Sequence, residues 1–193
     1  PGVTCAGAGP RRAIVTGCSG FIGSTLCDAL RAAGWSVRGI DSRPPSESVD
    51  GPGADMPPAQ DRGDFSFERG DILTMPRADL AEKDAVIFHL AALPGVRSSF
   101  ADPAACVEVN AGGTRRVLDA ARGVGARRVV AVSSSAVYGD AGESPCSEAL
   151  PLRPISPYGQ SKAEAERHAA EARARGLDVV VARPFTVYGP RQR

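Results

Sequence analysis

Histidine is scarce in this chain, with two in 193 residues, and the five cysteines are odd in number and scattered: Cys5, Cys18, Cys27, Cys106 and Cys146. No CxxC pair occurs, so neither a disulfide framework nor a zinc site is expected. Net charge is also nearly absent, 23 basic against 22 acidic side chains for a formal +1. A dedicated nucleic-acid binder would need a basic face, and the near-zero charge argues against that class. No apolar run approaches the roughly 18 residues of a membrane span. Residues 1–10 lack the charged-then-apolar pattern of a signal peptide. The expected setting is the cytoplasm, with reduced thiols. The chain opens on Pro1 rather than Met, which points to trimming. Lysine is rare as well: Lys83 and Lys162 stand against 21 arginines, so a lysine at a chemically sensible position carries more weight than usual.

What is present is an ordinary globular composition, 42% hydrophobic and 23% charged. The length suits one domain with a core of its own, or one domain and part of a second. Short apolar runs at 13–16, 35–40, 65–69, 85–89, 128–132 and 179–182 read as strands. Helical patterns separate them at 21–33, 102–122 and 158–175, the second with Pro103 in its first turn and the third closed by Gly176. Non-alternating apolar strands interleaved with helices predict an α/β fold, a doubly wound parallel sheet with helices on both faces. Two irregular stretches interrupt the rhythm: 42–64, rich in proline and acidic residues and read as a surface loop, and 140–157.

The first strand runs into Thr16-Gly17-Cys18-Ser19-Gly20-Phe21-Ile22-Gly23 and then a helix. Glycines at 17, 20 and 23 allow a tight turn and close backbone approach to a ligand. The helix N-terminus behind them, at Phe21 and Ile22, offers N–H groups and a positive dipole end to a pyrophosphate. The spacing is GxxGxxG, and a ligand-free glycine turn would share it, but the strand–turn–helix context is that of a dinucleotide site. Asp41 closes the second strand 18 residues after Gly23, where a carboxylate accepts ribose hydroxyls and repels a 2′-phosphate, favouring NAD over NADP. Arg43 weakens that choice, and a solvated loop carboxylate is the alternative.

Tyr158 and Lys162 lie four residues apart at a helix start and so share a face. An ammonium near a phenol favours the phenolate and is expected to lower the tyrosine pKa from about 10. A tyrosine so tuned is a general base for a sugar or alcohol hydroxyl. An amphipathic surface pair has the same spacing. Ser133-Ser134-Ser135 ends the fifth strand, and ligands of open α/β sheets bind beyond the carboxyl ends of the strands. Tyr138 and Tyr188 read as packing residues in VYG turns, His89 as a structural histidine, and His168 as solvated on a charged helix. Arg115-Arg116 and Arg127-Arg128 read as exposed faces.

With TGCSGFIG at 16–23, HLAALPGVR at 89–97, SSSAVYG at 133–139, SPYGQSK at 156–162 and RPFTVYGPRQR at 183–193, the chain resembles the extended short-chain dehydrogenase/reductases, specifically the NAD-dependent nucleotide-sugar epimerases and dehydratases. The resemblance implies a Rossmann domain over 12–183 after a tail at 1–11. A substrate-binding domain would begin at 184–193 and lie largely beyond Arg193. It places Ser134, Tyr158 and Lys162 in catalysis. It places Asp71 and Ile72 at the adenine edge, Leu90, Ala91 and Ala92 along the cofactor, and Asn110 at a structural polar position.

Relatives that dehydrate or decarboxylate the sugar carry Glu where this chain has Ala136, so those activities are disfavoured. The FTVYGPRQR version is most similar to UDP-glucuronate 4-epimerases. There Thr186 and Ser135 match residues that hold the sugar carboxylate, and Arg193 matches an arginine that orients the substrate. The resemblance further implies NAD as cofactor, a UDP-sugar as substrate and a homodimer formed through the helices at 102–122 and 158–175. Two alternatives remain open at this point: another NDP-sugar such as UDP-glucose, handled by an epimerase or reductase, and a non-catalytic dinucleotide-sensing module.

Overall fold

The computed structural model describes residues 11–44, 63–142 and 145–192. Most of the irregular 42–64 stretch and Arg193 lie outside the described residues. Six strands form one sheet: β1 (Arg12–Thr16), β2 (Ser36–Asp41), β3 (Phe65–Arg69), β4 (Val86–His89), β5 (Arg128–Val132) and β6 (Val179–Ala182). Four α-helices accompany them: α1 (Phe21–Ala32), α2 (Pro103–Val107), α3 (Gly113–Val124) and α4 (Pro157–Ala174). The strand order is β3-β2-β1-β4-β5-β6 and every pairing is parallel. This is the doubly wound Rossmann arrangement expected from the sequence, with its switch point where β1 lies beside β4.

The two faces of the sheet explain the unbroken apolar runs. Ile14 on β1 belongs to a core with Ile40, Ile87, Val117, Val129 and Ala169, beneath α3 and α4. Its neighbours Ala13 and Val15 point the other way, to Cys18, Cys27 and Leu30 around α1. Successive side chains of a strand alternate faces, so a strand covered on both sides must be apolar throughout.

The helix expected over 102–122 is not continuous. Asp102 caps α2, accepting from the Ala105 N–H at 2.9 Å, and a π-helical turn at Glu108–Gly112 precedes α3, which runs on to Val124. The wider turn carries Asn110, whose side chain is taken up by the chain after β4. Its Oδ1 accepts from Leu93 N at 2.8 Å, and its Nδ2 donates to Leu93 O at 3.1 Å and to Ser161 Oγ at 2.9 Å. At Gly113 a Cβ would stand 2.4 Å from Ile72 Cδ1, so the Ile72 side chain packs directly over this glycine.

Three further readings are corrected. Tyr188 does not pack; it is 85% exposed. His168 is not solvated: its ring is largely buried on α4, with Glu164 Oε1 at 3.6 Å and Glu171 Oε2 at 3.7 Å. Arg116 is not an exposed charge. It reaches back across the fold, Nε donating to Ile72 O at 2.8 Å and Nη2 to Met75 O at 2.6 Å, which fixes the turn after β3. Among the described residues, no helix is long and apolar enough to cross a membrane.

Candidate active site

The glycine turn sits at the switch point. Gly17 takes φ +75° because its N–H must reach Ile40 O, at 2.8 Å, while the chain after β4 passes against it; a Cβ there would stand 2.7 Å from Ala91 N. At Gly23 a Cβ would lie 2.1 Å from Gly17 O, so the third glycine lets α1 close onto the turn. Gly20 is the N-cap of α1 and supplies no side-chain cap, which leaves the first N–H groups of the helix open to an anion.

Asp41 is part of this turn and not a solvated loop residue. Its Oδ2 accepts from Ser19 N at 3.0 Å and its Oδ1 from Arg43 N at 3.1 Å. Each oxygen keeps a lone pair for a further donor. Leu90 and Ala91 are tied to the end of β1, Leu90 N to Thr16 O at 3.0 Å and Ala91 N to Thr16 Oγ1 at 3.4 Å, and Ala92 follows half-buried.

Asp71 is exposed after β3, and its Oδ1 accepts from Leu73 N at 2.9 Å. The Ile72 side chain, in contrast, lies in the core, leaving only its main chain for a ligand. His89 is structural, as its sequence context suggested: Nδ1 meets Thr16 Oγ1 at 2.7 Å and Nε2 meets Thr114 Oγ1 at 3.0 Å. Burial holds its pKa down at about 3, with the Lys162 charge acting in the same direction.

The helix carrying the tyrosine and lysine starts where Ser156 accepts from Gly159 N at 3.0 Å, with Pro157 in the first turn. Ser99 Oγ accepts from Tyr158 N at 3.1 Å. Gly159 is required because Ala136 O lies 2.5 Å from its Cβ position, so the helix start and the VYG turn touch through backbone.

This contact sets Tyr158 beside Ser134, near enough for the serine hydroxyl to act on the acidity of the phenol. Ser134 Oγ also accepts from Ala136 N at 3.2 Å. Burial pushes the Tyr158 pKa up, and the nearby Ser134 hydroxyl opposes that rise. The expected lowering by Lys162 is therefore not found. The Lys162 ammonium donates instead to Val132 O at 2.9 Å, and burial brings its own pKa down to about 8.

Beyond the strand ends, Ser134, Ser135, Tyr138, Cys146, Phe185 and Thr186 line one cleft of about 420 Å³. The three hydroxyl residues expected around the sugar are thus brought together from two separate strand ends. The sequence reading missed Glu166 and Arg183, which lie directly behind this wall. The available signal was the helix face: positions 158, 162 and 166 recur every four residues on α4, and a carboxylate on that face is unexpected in a core-facing row.

A parallel sheet with a glycine turn at its switch point and a Ser–Tyr–Lys group at the neighbouring strand end defines a dinucleotide-binding protein of the short-chain dehydrogenase type. The model of the NAD dependent epimerase/dehydratase family matches residues 13–193, and the chain belongs to that family. It is 41% identical over 185 residues to a UDP-glucose 4-epimerase of Mycolicibacterium smegmatis, covering 94% of this chain and 58% of that protein. The solved structure of MoeE5 in complex with UDP-glucuronic acid and NAD superposes with a TM-score of 0.80 at 41% identity, over 94% of this chain and 57% of that one. UDP-glucuronic acid 4-epimerase from Bacillus cereus, in complex with UDP-glucuronic acid and NAD, gives a TM-score of 0.80 at 36% identity, over 95% and 59%. The chain thus spans somewhat more than half the length of these relatives.

Proposed function

We propose that this chain is the cofactor-binding part, over 12–183, of an NAD-dependent nucleotide-sugar 4-epimerase that interconverts UDP-glucuronate and UDP-galacturonate through a 4-keto sugar. Residues 184–193 would open its substrate-binding domain. The observation that carries the reading is the cleft that gathers Ser134, Ser135 and Thr186, with Tyr158 beside Ser134. The residues present fit NAD: the uncapped start of α1 receives the pyrophosphate, and Asp41, at the tip of β2, receives the ribose hydroxyls. When bound, NAD supplies the redox chemistry at its nicotinamide.

The chain's own residues handle the proton and the geometry. Tyr158 removes the proton from the sugar 4-hydroxyl and returns it after the ring has presented its other face. Ser134 donates to the same oxygen and holds it beside the phenol. Lys162 is positioned to grip a ribose hydroxyl. The hydroxyls of Ser135 and Thr186 donate to the sugar carboxylate, with Arg193 as a further substrate contact. Ala136 leaves no carboxyl group at the place where an acid would be needed to expel water, which disfavours dehydration. Asp71 and the main chain of Ile72 edge the adenine, and a homodimer through the 102–122 stretch, which holds α2 and most of α3, and through α4 accompanies the reading.

A second reading, the neutral sugar of UDP-glucose, is favoured by the 41% identity to a UDP-glucose 4-epimerase. Incubation of the complete reading frame with UDP-glucuronate and no added cofactor decides between them. A new sugar nucleotide of unchanged mass is expected at the galacturonate position. No conversion, even with NAD added, discards glucuronate and moves the assay to UDP-glucose.

A further inference from the structure

Ser133, immediately before Ser134, is buried, and its hydroxyl donates to Glu166 Oε1 at 2.5 Å. Glu166 stands on α4 eight residues beyond Tyr158, about two turns along the same helix. Arg183, just past β6, grips this carboxylate as a fork, with Nε on Oε1 at 2.9 Å and Nη2 on Oε2 at 2.6 Å; the two side chains are only 22% and 9% exposed. The same guanidinium donates through Nη1 to Tyr138 Oη at 2.9 Å and to Glu148 O at 3.0 Å, and its carbon lies 5.2 Å from the Tyr138 ring centroid. The Tyr138 ring stacks on Phe185 at 6.4 Å between centroids, and both rings line the cleft beside Thr186.

We propose that Glu166, locked by Arg183, is a positioning residue for the reaction: through Ser133 it holds the end of β5 so that the Ser134 hydroxyl meets the Tyr158 phenol, and through Arg183 and Tyr138 it holds the wall of the sugar cleft. The proposal rests on the reading of Ser134 and Tyr158 as the catalytic pair. Two consecutive residues at the end of β5 and just past it are each tied to α4, Val132 through its carbonyl to Lys162 and Ser133 through its hydroxyl to Glu166. One attachment would leave the strand end free to pivot about it, whereas two fix its rotation. Because Glu166 and Tyr158 share one rigid helix, the tether and the base move together. A bidentate guanidinium adds direction that a point charge lacks, so the carboxylate itself cannot swing.

Three variants separate positioning from mere support of the fold. Ser133→Ala removes the tether and leaves the ion pair intact. Its Tyr158 titration, read as the ultraviolet difference between each protein and its Tyr158→Phe counterpart, is expected to move up as Ser134 loses its place beside the phenol. Its kcat is expected to fall roughly tenfold, with KM for the sugar nucleotide changed by less than about twofold. Glu166→Gln also frees Arg183, so KM rises as well as kcat falling. The double variant Glu166→Met with Arg183→Met replaces the buried pair by apolar side chains, a change that generally preserves stability. It still lacks the tether and should keep the low kcat and the displaced tyrosine titration.

A Tyr158 titration unmoved in both Ser133→Ala and the double variant overturns the proposal, as does full kcat in a stable double variant. If the unaltered protein turns over no sugar nucleotide, the reaction assigned above fails, and the titrations alone decide the positioning role.

Discussion

The Lys162 ammonium lies 6.0 Å from the centroid of the Tyr158 ring and is bound to the Val132 carbonyl at 2.9 Å, not to the phenol. The pair therefore shares a helix face without forming the contact that would make the tyrosine a phenolate. Before cofactor binds, Tyr158 is a neutral phenol whose acidity burial has weakened.

The first prediction follows from that state. In cofactor-free protein Tyr158 titrates above an ordinary tyrosine. Oxidised NAD brings a positive charge, which favours the phenolate, so saturation with it should lower the midpoint. Spectrophotometric titration of the protein with and without NAD, against Tyr158→Phe, measures this. A midpoint that rises on binding would refute a base at this position.

Replacement of the base itself gives the second. Tyr158→Phe keeps the ring and its packing and removes the hydroxyl proposed above to accept the sugar proton. Turnover is expected to fall by at least about a hundredfold, in the range of general-base removal. NAD affinity should change little, because Gly17 and Gly20 lie in the turn between β1 and α1 and Asp41 ends β2. Substantial residual activity would assign the base elsewhere.

Acid stability is governed in part by His89. Its folded-state pKa, about 3, lies below the ordinary value of 6.5. Between those values the unfolded chain binds a proton that the folded chain refuses. The contribution is thus fully present above pH 6.5 and is lost as pH falls toward 3, by up to about 1.4 kcal/mol per pH unit. Chemical denaturation from neutral to acid pH should show a shallower slope for His89→Gln than for the unaltered chain, and equal slopes would rule the histidine out.

The glycine turn offers a test that alters no polar side chain. A Cβ at Gly23 meets only backbone, with Gly17 O at 2.1 Å and Gly17 C at 2.9 Å, so the turn itself must move. Gly23→Ala should cost about 1–3 kcal/mol of stability, as overpacking does. It should also weaken NAD binding at least tenfold by displacing the N–H groups of the α1 terminus, about 1.4 kcal/mol in binding. Thermal unfolding and calorimetric titration check the two effects, and a variant that binds NAD as tightly as before would dissociate the turn from the cofactor.

The chain order of β1 to β6, the glycine turn and the Ser–Tyr–Lys group were all legible in the sequence, because each is written in neighbouring residues. Apolar runs specify strands covered on both faces, Gly17 and Gly23 answer to steric limits within one turn, and positions 158 and 162 share a helix face by periodicity alone. The break in the helix at Asn110, the reach of Arg116 to Ile72 and Met75, and the Glu166–Arg183 fork were not legible. Each pairs groups that only the folded sheet brings together, as when Arg116 meets a carbonyl 44 positions away.

The same holds for the acidity of the site. Spacing placed Lys162 near Tyr158, but the acidity of both depends on how much water the tertiary packing removes and on which acceptor captures the ammonium first. The sequence by itself determined which chemical groups the site contains and on which elements they ride. The tertiary structure decided which of them touch, because burial and long-range hydrogen bonds exist only once β5, β6 and α4 have come together.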